Sequence, residues 1–258
     1  MKNVLIVCLY PKDKVSGQRF RFEQYLDYLT QNGFKITFSN LLSERDYSFY
    51  YKKGYYLQKA ILVLKGIIKR YIEIQSASQY DLVLIHREGF LLGNPYFERQ
   101  FARKAKVIFD FDDATWITSI VSENNKWAGF LKSPNKTRNV IEVSKMVFAG
   151  NQYLAGYASQ YNNNVKIVPT TIDTDKYKPA YNSKKDKICI GWSGSFSTIE
   201  HFMTCIEALQ LIKHKYGAKV YFKVIGSEDY QNPELGIRGL PWREETDCLL
   251  YTSDAADE

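Results

Sequence analysis

Short apolar runs rich in Val and Ile alternate with helical patterns along most of this chain, and that rhythm restricts the fold more than any other feature. The runs fall at 3–8, 35–39, 81–85, 106–111, 146–149 and 165–168. Between them, 18–31, 55–75, 95–104, 136–144 and 152–160 carry apolar residues at helix-compatible spacing. Parallel strands reach one another through crossover helices that cover both sheet faces, so continuous apolar runs of this kind predict a doubly wound α/β domain.

From Pro169 the chain turns polar through Pro179, Asn182, Ser183 and a Lys-Lys-Asp-Lys run. A second pattern then begins, with a strand at 188–192, a helix at 198–216 and a strand at 219–225. The expected organisation is an amino-terminal domain over 1–170, a linker over 171–187 and a partial second domain over 188–247. One βαβ unit cannot close a second doubly wound domain, so an uncovered apolar face and a free sheet edge are expected there.

Residues 248–258, CLLYTSDAADE, break the preceding pattern. Their back-translation resembles the transposase adapter of short-read sequencing libraries, and they are read as a foreign tail with the natural information ending near Asp247.

Composition narrows the setting. Residues 1–8 enter a strand pattern with no basic leader or cleavage site, and the most apolar stretch, 60–68, is interrupted by Lys65. Four scattered cysteines suggest neither a zinc site nor a disulfide framework, and a cytoplasmic location is expected. A formal charge of +7 suits anionic partners without choosing among them.

Candidate site residues gather where strands end. In open α/β sheets ligands bind beyond the carboxyl ends of the strands. After the first run, Ser16 and Gly17 open a helix whose free N–H groups suit a phosphate. Arg19 and Arg21 diverge around that helix, so at most one faces the crevice. Arg19 is assigned that role; alternatively both lie on the surface with Glu23 or Asp27.

The run at 81–85 leads into His86, Arg87 and Glu88. His86 suits either a catalytic acid, base or hydroxyl-positioning group, or a hydrogen-bonded structural one. Asp110, Asp112 and Asp113 follow in VIFDFDDATW, where two carboxylates suit a sugar or a magnesium ion and Asp113 also suits a helix cap. In IGWSGSFST, residues Gly191, Ser193, Gly194 and Ser195 form a second small-residue turn before a helix, and Gly226 ends the following strand.

With these residues in view, the chain resembles GT-B glycosyltransferases of the large retaining family four. The likeness is carried by AGNQYLAGYASQY with VKIVPTTIDTDKYKP, then IGWSGSFST, FKVIGS and LPWREETD. It implies two Rossmann-like domains, the second incomplete here, and a nucleotide-diphosphate sugar as donor with no required cofactor or metal.

The resemblance places Gly17 near the donor phosphates and Gly194 and Ser195 beneath the diphosphate, with Asp112 where many relatives have a sugar-contacting histidine. The main catalytic glutamate is expected beyond Asp247, which would leave this chain without turnover. A saccharide or glycolipid acceptor is implied, and no nucleic acid. A non-catalytic sugar-nucleotide-binding module and a metal-dependent enzyme using Asp110, Asp112 and Asp113 are the alternatives.

Residues 47–75 mix tyrosines with lysines. Peripheral contact with the inner face of the membrane would use a stripe of Leu57, Ile61, Leu64, Ile68 and Ile72. The preferred expectation is that this stripe packs on the sheet.

Overall fold

The structure, a computed structural model, describes residues 1–52, 54–117, 135–175, 187–194 and 198–241. Ser195, most of the linker expected at 171–187 and the tail at 248–258 lie outside the described residues. The chain divides into two compact units, Met1–Ile172 and Asp173–Glu258.

The first unit is a six-stranded parallel sheet in the order β2-β1-β3-β4-β5-β6. Its strands are β1 (Lys2–Cys8), β2 (Phe34–Asn40), β3 (Leu82–His86), β4 (Val107–Phe111), β5 (Met146–Ala149) and β6 (Val165–Ile167). Alternation along β1 sends Leu5 and Val7 into one buried cluster and Val4, Ile6 and Cys8 into another, which is why the run is apolar without interruption. The order reverses at β1, placing a crevice between the loops that leave β1 and β3.

Two helical stretches expected to be continuous are broken. The one after β1 forms α1 (Ser16–Arg21), a 3-10 turn (Glu23–Tyr25) and α2 (Leu26–Gln31), with Phe22 at φ −146°. Phe22 leaves the helical path and is buried against Phe38 and His86. The sequence pattern also passed over α3 (Glu44–Tyr50), although a capping box between Ser43 and Asp46 starts it.

The apolar stripe on α4 (Tyr56–Ser76) corrects an expectation. Leu57 is 71% exposed and Ile72 64%, with Ile61, Leu64 and Ile68 also open to solvent. The packed face is instead Leu62, Gly66, Arg70 and Ile74. A Cβ at Gly66 would sit 3.0 Å from Phe90 and 3.1 Å from Leu41, so the glycine permits close approach. Arg70 is fully buried and donates to the Cys8 and Gly89 carbonyls at 2.8 and 2.6 Å and to Ser39 Oγ at 2.8 Å. These three buried contacts, with a part-buried fourth to Glu73 at 2.6 Å, fix the rotation of the helix more firmly than an apolar stripe can.

α5 (Tyr96–Lys104), α6 (Lys136–Val143) and α7 (Gln152–Ala158) complete the first unit, contributing Phe97, Phe101, Val140, Ile141, Leu154 and Ala158 to its larger core. Among the described residues, no helix is long and apolar enough to cross a membrane.

The second unit has a four-stranded sheet in the order β7-β8-β10-β9. These are β7 (Ile188–Ser193), β8 (Val220–Ile225), β9 (Gln231–Asn232) and β10 (Ile237–Leu240). The expected single βαβ unit is therefore enlarged: β10 pairs parallel with β8, and β9 pairs antiparallel with β10. The expected helix over 198–216 divides into α8 (Ile199–Met203) and α9 (Ile206–Tyr216). The small core holds Phe202, Leu209, Val220, Phe222, Val224, Leu235 and Ile237.

Candidate functional site

The carboxyl edge of the first sheet gathers the polar residues into two adjoining clusters. The β1 turn is fixed first. Tyr10 N–H donates to Gln18 Oε1 at 3.1 Å, while Gln18 Nε2 donates to the Tyr10 carbonyl and to Glu23, both at 3.0 Å. Ser16 is exposed at the start of α1, whose N-cap, Val15, supplies no side-chain hydrogen bond.

The inner cluster is buried. His86, ending β3, is 3% exposed, and its Nδ1 lies 2.7 Å from Asp110 Oδ2. Arg21 binds the same carboxylate through Nε at 3.3 Å and through a short contact to Oδ1, and it also donates to the Val168 carbonyl. A carboxylate paired with a guanidinium is an acceptor, so His86 Nδ1 carries the proton. Phe22 covers the imidazole with an edge contact at 5.2 Å. His86 is thus held in place by Asp110 and Phe22.

Arg21 is the residue that sequence reasoning missed. Arg19, given the crevice role, is buried and stands over the Phe20 ring at 5.3 Å, and neither arginine lies on a solvated helix surface. The signal available was Asp110: a carboxylate inside a buried strand demands a cation, and Arg21 answers it.

The outer cluster is reached from solvent. Arg87 has a left-handed backbone, φ 56°, and donates through Nε to Asp112 Oδ1 at 2.6 Å. Its Nη2 lies 2.6 Å from Asp113 Oδ2. Burial by itself would raise the Asp112 carboxyl, but the Arg87 hydrogen bond and charge outweigh it and hold the group below the usual carboxylate range. Gly17 lies directly beneath this pair. A Cβ there would come within 3.2 Å of Arg87 Nη2 and 3.3 Å of Asp112 Oδ2.

The loop carrying Arg87 is anchored from below. Gly89 N–H donates to the buried Glu98 at 2.9 Å, and Lys136 Nζ donates to the Phe90 carbonyl at 2.6 Å. The three aspartates therefore do not converge, since Asp110 serves Arg21 and His86 while Asp112 and Asp113 serve Arg87. Among the described residues, no group of three or more His, Cys, Asp or Glu side chains is placed to hold a metal ion.

At the strand ends of the second unit, Gly194 and Gly226 meet backbone to backbone. Gly226 has φ +90°, and a Cβ on it would fall 1.8 Å from the Gly194 carbonyl oxygen. Gly194 N–H donates to the Ile225 carbonyl at 3.1 Å and Gly226 N–H to the Leu240 carbonyl at 2.8 Å. Ser193 ends β7 opposite Ile225. Gly191 is exposed within β7, and a Cβ there would meet nothing within 4 Å. Sequence reading assigned these glycines to a ligand; the structure supplies a steric requirement for Gly194 and Gly226 and none for Gly191.

No protein-family model matches the sequence. No curated protein matches it either. Solved structures do resemble it. One described as trehalose-6-phosphate from E. coli bound with UDP-2-fluoro glucose has a TM-score of 0.55 at 11% identity, over 98% of this chain and 77% of that one. An alpha,alpha-trehalose 6-phosphate synthase from Burkholderia multivorans gives 0.55 at 11% identity, over 97% of this chain and 75% of that one. Likeness at this identity speaks for architecture. The chain has a GT-B-type α/β fold, with a six-stranded parallel sheet in the first unit and a partial sheet in the second.

Proposed function

We propose that the chain is a sugar-transfer protein that binds a nucleotide-diphosphate sugar and serves transfer to a saccharide or lipid-linked acceptor with retained configuration. The observation that carries this reading is the Gly17, Arg87 and Asp112 constellation at the carboxyl edge of the first sheet. An Arg–carboxylate pair offers donors and acceptors to sugar hydroxyls, and the missing side chain at Gly17 lets the pair close over the β1 turn. The fold supports it, since the E. coli structure of this architecture is bound with UDP-2-fluoro glucose.

In this reading Asp112 accepts from a sugar hydroxyl and Arg87 donates to one, while Ser16, Gly17 and Arg19 form the β1 turn beside them. His86 supports Asp110 behind that surface. Gly191, Ser193, Gly194, Ser195 and Gly226 are the proposed diphosphate residues of the second unit, Ser195 lying outside the described residues. Positioning and charge stabilisation supply the catalysis, with no metal required.

Titrating UDP-, GDP- and ADP-sugars into the chain by calorimetry tests this. One nucleotide sugar should bind, and Gly17→Val should abolish binding without unfolding the protein. Failure of every nucleotide sugar to bind would sink the reading.

A peripheral membrane role is proposed alongside it, on the exposure of the α4 stripe. Tyr56, Leu57, Ile61, Leu64, Ile68 and Ile72 face solvent beside Lys52, Lys59 and Lys65, a combination suited to anionic lipid headgroups. Sedimentation with phosphatidylglycerol vesicles should pull the protein down, and charge reversal at those three lysines should release it. Equal binding by the reversed variant would remove the proposal.

A further inference from the structure

Away from both clusters, the outer face of α7 carries an aromatic groove that the sugar-nucleotide reading does not use. Leu154, Ala155 and Ala158 bury the inner face of this helix, which Asn151 caps by accepting from Leu154 N–H at 2.9 Å. Outside, Trp116 stacks on Tyr157 with ring centroids 3.7 Å apart and an interplanar angle of 2°. Tyr153 lies 6.0 Å from Trp116 at 28° and is 64% exposed. An edge contact to Phe111 at 6.1 Å ties the stack to the core. Gln152 and Gln160 flank a cavity of about 380 Å³, and Gly156 forms its floor.

We propose that this groove binds a neutral saccharide. A pyranose ring has an apolar C–H face that suits an electron-rich aromatic surface and a hydroxyl edge that needs mixed donors and acceptors. Tyr153 and Trp116 supply the surface, and the two amides each offer donors and an acceptor at the rim. Gln152 and Gly156, four apart on α7, line up on one side, and Gln160 stands in the turn that follows the helix. A Cβ at Gly156 would meet nothing within 4 Å, so the floor is open space rather than a packing requirement.

The lining decides against other ligands. Among the described residues, those lining the cavity include no Lys, Arg, His, Asp or Glu, so they offer neither a phosphate nor a uronic acid a countercharge. A nucleic-acid strand would stack equally well on the rings but needs cations along its backbone. The site stands independently of the donor reading, sharing no residue with it.

Titration of the chain with maltohexaose, cellohexaose and chitohexaose, followed by tryptophan fluorescence and calorimetry, tests the proposal. A heparin hexasaccharide and uridine serve as controls. At least one neutral hexasaccharide should bind, and Tyr153→Ala should weaken it about tenfold, the scale of one aromatic contact. Gly156→Leu should fill the floor and abolish binding, with the melting temperature of both variants close to the parent's. Should Gly156→Leu fail to fold, Tyr153→Ala decides alone. Absence of binding by all three neutral sugars, tighter binding of either control, or unchanged affinity in Tyr153→Ala overturns the proposal.

Discussion

The first strand of each unit begins from the same kind of apolar run, yet the two strands end in different surroundings. β1 lies between β2 and β3 with both faces covered, and Leu5, Ile6, Val7 and Cys8 are fully buried. β7 lies at the edge of its sheet; Ile188 is 67% exposed and none of the strand's residues is fully buried. Apolar sequence thus marks a strand, while burial depends on how many neighbours the sheet supplies.

The sharpest way to break this contrast is to cut equal side chains from each sheet. Ile6→Ala in β1 should cost about 2–5 kcal/mol of stability in urea denaturation, the range for emptying a packed aliphatic site. Ile188→Ala in β7 should stay within about 0.5 kcal/mol, as exposed positions do. Comparable losses would show that the exposed edge of β7 is not its solution state.

Gly226 tests whether backbone contact substitutes for side-chain burial in the smaller unit. Gly226→Ala should cost about 1–3 kcal/mol for the left-handed conformation alone, with the contact to the Gly194 carbonyl added to it. Retention of parental stability by this variant would mean that the two turns separate freely.

The polar edge of the first unit should show acid sensitivity. Because the folded Asp112 carboxyl is held below its ordinary value, its pairing with Arg87 stabilises the protein above the unfolded pKa of about 4 and is lost as pH falls through the folded one. Asp112→Asn should cost about 1.5 kcal/mol at neutral pH and flatten the acid limb of the stability profile. An unchanged acid limb would remove Asp112 as its source.

The smallest effect is chemical rather than energetic. Burial pushes the Cys8 thiol up to about 12, whereas Cys189 in β7 is half-buried. Iodoacetamide at pH 8 should label Cys189 within minutes and Cys8 only on unfolding, as read by mass spectrometry. Equal labelling would place both strands in the same environment.

What the sequence determined by itself was local and periodic. Its apolar runs located eight parallel strands, enough to define the first sheet and to begin the second, and Gly17, Gly194 and Gly226 were recognisable as small residues beyond strand ends. The β10 strand escaped because four residues, with Arg238 and Gly239 inside them, carry too weak a pattern to register.

Only the tertiary structure chose among faces and partners. α4 offers two surfaces, and the sequence favoured burying the apolar stripe; the polar contacts of Arg70 at the ends of β1 and β2 turned the helix the other way. Arg19 and Arg21 look alike two residues apart, and Asp110, distant in sequence, selected Arg21. Periodicity records what a residue repeats with along the chain, whereas a buried charge is placed by a partner that the chain brings to it only on folding.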